Sequence, residues 1–278
     1  MTNSVRFYRR SLLYLAVIVI ILFAIGPILW MFLSSLKPKS EFFTIPSTFF
    51  PKLWTLDNFK LLFNDTNFLN WMLNSLYITI GVILLTTVIA VMGAYSLTRF
   101  SYRGRNAFAI FSLFAYMLPT VLLVIPLYLF MVKLNLVNQL GGLTLTYIAL
   151  CLPYCLWTLR AFFQALPYDL EEAAFIDGAN RLESMFYVVV PLSLPGIIST
   201  AVYSFSVIWN EYLFALVFIS SDAKMTFPVG ISSFVTDYDV FWEYILSGSV
   251  IISIPAVIIF LLTQRALIKG WGAGAIKG

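Results

Sequence analysis

ALPYDLEEAAFIDGANRLESMFYVVVPLSLPG, residues 165–196, interrupts an otherwise apolar chain and reads as two short helices joined by a turn. Pro167 stops the segment before it, because proline lacks the amide N–H that a helix interior needs. Asp169 stands where a cap is expected, before a helix whose first turn carries Glu171 and Glu172, carboxylates that suit the positive end of the helix dipole. Ala173 and Ala174 leave the backbone open to close approach by another protein. Asp177 and Gly178 supply a turn in which positive φ is easy. A second amphipathic helix over 180–190 leads to Pro191 and Pro195. The expectation is a helix-turn-helix on a membrane surface, with a face that has nothing of its own chain to pack on.

Outward from this loop the sequence is built for lipid. Its 278 residues are 61% hydrophobic and 11% charged, with a mean hydropathy of +0.92. Soluble domains carry roughly 25% charged residues, so the bilayer is the solvent here. A spanning helix needs about 20 mostly apolar residues. Six runs qualify, at about 12–33, 73–97, 108–131, 143–163, 197–220 and 247–267, and the fifth holds one charge, Glu211. The first follows Arg6, Arg9 and Arg10 but is too long for the core of a signal peptide, and reads as an uncleaved anchor.

An even number of spans puts both termini on one side. Eleven of the 17 Lys and Arg fall on that side, which makes it cytoplasmic by the positive-inside rule. The loop 164–194, the short basic stretch TRFSYRGRN and a tail over 268–278 share it. The segments 34–72 and 221–246 face outward and read as folded caps. Pro119 and Pro126 are expected to bend the third run twice toward a similar face, and Pro153 and Pro255 to interrupt the fourth and sixth. The fold class is an all-α integral membrane protein of six transmembrane helices with a cytoplasmic helix-turn-helix, a single transmembrane domain over 1–278.

Composition narrows the chemistry. With no histidine in the chain, the commonest general base and metal ligand is missing, so an enzyme or a metal site is disfavoured. Cys151 and Cys155 lie one turn apart in ALCLPYCLW and read as small apolar packing residues. A net charge of +4 follows from topology, and no basic, base-stacking surface for nucleic acid is present. No G-x-x-x-x-G-K-[ST] phosphate loop occurs, so any ATP-driven step belongs to another polypeptide.

The loop resembles the EAA motif of permease subunits of binding-protein-dependent ABC importers. It reads Glu172-Ala173-Ala174, three residues, Gly178, nine residues, then Val188-x-Val190-Pro191, with Val188 for Ile and Val190 for Leu as hydrophobic departures. The resemblance covers nearly the whole chain and is greatest to the carbohydrate-uptake, maltose-type (MalG-like) branch. SSLKP from Ser34, LTRFSYRGR from Leu97, MLP from Met117, WNEY from Trp209 and the terminal QRALIKGWGAGAIKG carry it.

That resemblance implies a coupling helix, with Glu171, Glu172, Ala173, Ala174, Asp177, Gly178 and Pro191 meeting a cytoplasmic ATPase. It implies a tail, with Gly274, Lys277 and Gly278, reaching between two ATPase copies. It also implies a second homologous permease, an extracytoplasmic solute-binding protein, a prokaryotic inner-membrane location and surrounding lipid. No cofactor is expected on this chain, ATP and Mg being used by the ATPase. Sugars are held by polar groups and aromatic faces, which makes Tyr116, Tyr128, Tyr203, Trp209, Asn210 and Glu211 the pathway candidates. Glu211 reads as a polar gate or a packing contact to the partner permease. The rival reading, an ion-coupled secondary transporter, would use Glu211 as a proton relay.

Overall fold

The computed structural model describes residues 3–275, with side chains from 10 to 265. Apart from an isolated bridge between Val235 and Val240, the regular structure among these residues is helical. In order these are α1 (Asn3–Ser35), α2 (Asp57–Asp65), α3 (Phe68–Arg99), α4 (Arg105–Met117), α5 (Thr120–Lys133), α6 (Leu140–Ala165), α7 (Asp169–Ile176), α8 (Arg181–Ser184), α9 (Val190–Leu192), α10 (Leu194–Trp209), α11 (Leu213–Phe218), α12 (Phe227–Ser232) and α13 (Trp242–Ala275). A π-helical turn, Met185–Val189, joins α8 to α9. Among the described residues four helices are long and apolar enough to cross a membrane, and counting each of two bent pairs as one span gives up to six. The all-α membrane fold expected from hydropathy is the fold observed.

Two of the expected runs are broken. The run 108–131 is α4 and α5, bent by 105°. Leu118 and Pro119 are both extended there, with ψ of 133° and 121°, because the ring of Pro119 disfavours helical geometry in the residue before it. The run 197–220 ends as α10 at Trp209 and restarts as α11 at Leu213. Glu211 causes the restart by accepting the amides of Phe214 and Ala215 at 2.8 and 3.2 Å. Pro153 and Pro255 lie inside the continuous helices α6 and α13 and do not interrupt them. In a membrane helix, neighbours and local adjustments can satisfy the carbonyl that proline frees.

The chain forms two compact units, residues 3–68 with 231–254 and residues 69–230 with 255–275. In the first, no residue in the most apolar stretch of α1 is fully buried within the chain, as expected of a helix that is hydrophobic all round. Burial begins at its end. Asn58 Nδ2 donates to the carbonyls of Ser35 and Lys37, both at 2.8 Å. Lys37 is itself buried, with Nζ 4.4 Å from the Trp30 ring centroid. Burial lowers its pKa, opposed by the Glu41 charge. The Glu41 carboxylate accepts the amides of Lys52 and Leu53, both at 3.0 Å, and the Lys52 amide is the foremost cause of its lowered pKa. Lys39 pairs with Glu243 at 2.6 Å. The segment 34–72 therefore contains the folded cap that its composition suggested.

The second unit holds two apolar cores along α3 and α6. Ile78, Val82, Leu143, Tyr147, Phe214 and Phe218 belong to one; Ala90, Ala94, Tyr95, Leu159, Phe163 and Met185 belong to the other. Cys151 and Cys155 are both buried free thiols, consistent with packing. Small residues set the close approaches, as is usual between membrane helices. A Cβ built on Gly230 would lie 2.1 Å from the Trp71 ring, and that ring is anchored by an indole N–H donated to the Asp222 carbonyl at 3.0 Å. Gly230→Ala is expected to cost about 1–3 kcal/mol by overpacking and to lower the thermal midpoint in mild detergent. Gly141→Ala, where a Cβ meets nothing within 4 Å, is the control. Equal midpoints for both variants would refute the contact.

Candidate functional site

The turn of the 165–196 hairpin is specified residue by residue. Gly178 has φ of +91°, a conformation that costs an L residue with a side chain about 1–2 kcal/mol. Its N–H donates to Phe175 O at 3.1 Å, and the Ala179 N–H donates to Ala174 O at 2.9 Å. These are the paired bonds of a Schellman C-cap, which satisfy the last carbonyls of α7. Asn180 then opens the next helix with a capping box. Its Oδ1 accepts the amides of Leu182 and Glu183 at 2.9 and 3.0 Å, and Glu183 returns a carboxylate oxygen to the Asn180 N–H at 2.7 Å. Asp169, expected as a cap, is instead the first residue of α7, whose start has no side-chain cap. The N-x-x-E spacing of Asn180 and Glu183 was the readable capping signal.

The hairpin separates its two glutamates. Glu172, Ala173, Asp177, Gly178 and Pro191 are exposed and Ala174 is half-buried. Glu171, expected among the outward coupling residues, is 1% exposed. It pairs with Arg99 Nε and lies 2.9 Å from the Tyr95 hydroxyl, which is also 3.2 Å from Arg181 O. The apolar member of the outer face is Ile176, 87% exposed, accompanied by Leu182 and Tyr187. Neither Ile176 nor the Tyr95–Arg99 pair was singled out in the sequence. The signal for the pair is its i, i+4 spacing at the end of an apolar run, which puts both side chains on one helix face.

The pathway candidates divide. Tyr116, Tyr203 and Glu211 line one cavity of about 260 Å³ with Leu118, Thr120, Pro153 and Phe214. Tyr154, not anticipated, stacks on Tyr203 with ring centroids 3.7 Å apart, and Tyr116 packs against Tyr154 at 5.4 Å. Glu211 accepts from the Tyr147 hydroxyl as well as from the two α11 amides. Tyr128 packs on Phe218 at 5.6 Å. Trp209 is buried against Phe205 and Phe227, and exposed Asn210 donates to Ser206 O. These last three do not line the cavity. Of the tail positions, Gly274 is placed as backbone near the end of α13, and Lys277 and Gly278 lie outside the described residues.

Residues 86–271 match the family described as Binding-protein-dependent transport system inner membrane component. The chain is 31% identical to the Inner membrane ABC transporter permease protein YcjP of Escherichia coli over 280 aligned positions, covering 100% of both chains. It is 36% identical to the Trehalose/maltose transport system permease protein MalG of Thermococcus litoralis, covering 97% of this chain and 98% of that one. Its fold is similar to that of a chain in the crystal structure of a bacterial ABC transporter involved in the import of the acidic polysaccharide alginate. The TM-score is 0.81, with 22% identity and coverage of 96% of this chain and 99% of the other. The apolar spans and these matches agree, and the chain belongs to the binding-protein-dependent transport system inner membrane components, as a non-catalytic, multi-pass permease subunit of an ABC transporter.

Proposed function

We propose that this subunit passes a sugar or sugar-like solute inward across the membrane, driven by a separate ATPase that engages the 165–196 hairpin. The observation that carries the coupling role is the exposed face of Glu172, Ala173 and Ile176 on a hairpin whose opposite side is fixed by Glu171. A large apolar side chain 87% exposed, at a point where the backbone is fully capped, suits a protein partner. The sugar class is supported by the trehalose/maltose permease relative. The partners on this reading are a second homologous permease, two ATPase copies and an extracytoplasmic solute-binding protein. Both termini and the hairpin are cytoplasmic, and Mg-ATP is bound by the ATPase and not by this chain.

In this scheme the ATPase pair closes on ATP, the hairpins move together, and the spans alternate between outward and inward access. The cavity beside Tyr116, Tyr203 and Glu211 is the low-barrier section of the path, with aromatic faces for sugar C–H surfaces and one carboxylate for hydroxyls. Three donors already engage the Glu211 carboxylate. That favours a fixed helix-capping group over the exchanging acid that an ion-coupled carrier would need.

Ile176→Asp is expected to weaken recovery of the ATPase on purification of the complex by roughly tenfold or more, from the loss of about 1.5–3 kcal/mol of apolar burial. Full recovery would sink the docking role. Gly178→Val forces a β-branched residue toward left-handed geometry and is expected to cut solute moved per ATP by about tenfold. Proteoliposomes holding the assembled transporter, with labelled solute and phosphate release read together, measure this ratio. An unchanged ratio would remove the turn from the coupling pathway.

A further inference from the structure

Glu171 and Glu172 are neighbours on α7, about 100° apart around the helix, and their surroundings are opposite. Glu172 is exposed. Glu171 is 1% exposed, and its partner Arg99 has 7% of its side chain exposed. Arg99 also donates to Leu166 O at 3.3 Å, just past the end of α6, and its guanidinium lies 5.8 Å from the Tyr168 ring. Tyr95, one turn earlier on α3, reaches both Glu171 and Arg181 O. Phe100 sits 5.1 Å from the Arg181 guanidinium. The end of α6, the start of α7 and the start of α8 therefore all converge on two side chains at the end of α3.

We propose that Glu171 is a positioning residue, an internal strut that with Arg99 and Tyr95 locks the hairpin to α3 so that both move as one lever. This rests on the coupling role proposed above and deepens it: Glu172 and Ile176 receive the partner, and Glu171 passes the displacement inward. Beside these polar contacts, α3 and this region share an apolar cluster that includes Ala94, Tyr95, Phe163, Met185 and Val189. Apolar contacts are non-directional and tolerate sliding. A buried ion pair with added hydrogen bonds resists it, because any shift that separates the charges leaves them unpaired and out of water. The strut therefore fixes register, the property a lever needs, more than it adds affinity for a partner.

The test uses the complete transporter in proteoliposomes with its binding protein and labelled solute. Glu171→Gln is expected to retain the ATPase at wild-type stoichiometry and hydrolyse ATP within about twofold of wild type, while solute moved per ATP falls about tenfold. Adding Arg99→Gln to Glu171→Gln is expected to be no worse than Glu171→Gln alone, because the two charges act as a unit. A wild-type ratio in an intact Glu171→Gln complex overturns the strut. Loss of the ATPase from that complex also overturns it, by placing Glu171 in docking. If Glu171→Gln does not accumulate, Tyr95→Phe decides. It removes one hydroxyl and no charge, so a lowered ratio supports the strut and a wild-type ratio overturns it. The parent reading fails separately, through full ATPase retention by Ile176→Asp.

Discussion

A peptide N–H or C=O left without a partner in hydrocarbon costs several kcal/mol, so this chain can leave helical geometry at membrane depth only where a side chain or turn supplies the missing bonds. Each break obeys that constraint in a different way. At 118–119 a proline removes one donor from the account, and the Leu118 amide still reaches Ala115 O. At 210–212 the Glu211 carboxylate takes the first amides of α11, turning an expensive charge into the nucleus of a new helix. At the end of α1, Asn58 covers two carbonyls that the helix has released. The breaks are thus placed by individual proline and polar residues within apolar sequence.

The hairpin follows the same rule between α6 and α10. Its turn closes by a Schellman pair and a capping box in immediate succession, so the geometry of the turn itself is set by residues within the hairpin. Long-range contact is delegated to Glu171 and Arg99. This division lets the outer face be small and apolar without loosening the connection to the rest of the unit. The cavity is built the same way. Glu211 is held by Tyr147 and two amides, and the stacked tyrosines hold one another, so the walls do not need a ligand to be ordered.

Much of this was legible in the sequence. Long charge-free runs identify spans because lipid leaves few alternatives, and the EAA spacing with Gly178 identified the hairpin because positive φ and helix caps are local properties. Hydropathy could not see the breaks at Leu118 and Asn210, since the flanking residues are equally apolar on both sides. Asp169 looked like a cap from its position, but the cap depends on backbone geometry around Tyr168. Glu171 and Glu172 could not be told apart along the chain, because their difference is set by Arg99, more than seventy positions away. Trp209 and Asn210 were grouped with Glu211 by adjacency, whereas three consecutive residues at a helix end point in three directions.

The self-contained turn also bears on how the protein is made. Its hydrogen bonds join residues no more than five positions apart, and structure of such low contact order forms within microseconds, far faster than spans assemble. Synthesis proceeds at about 5–20 residues per second. The turn can therefore close almost as soon as it emerges, before α10 to α13 have packed. It would serve as a preformed surface piece that the later helices fold against, and α3, completed earlier, would already be waiting to receive it.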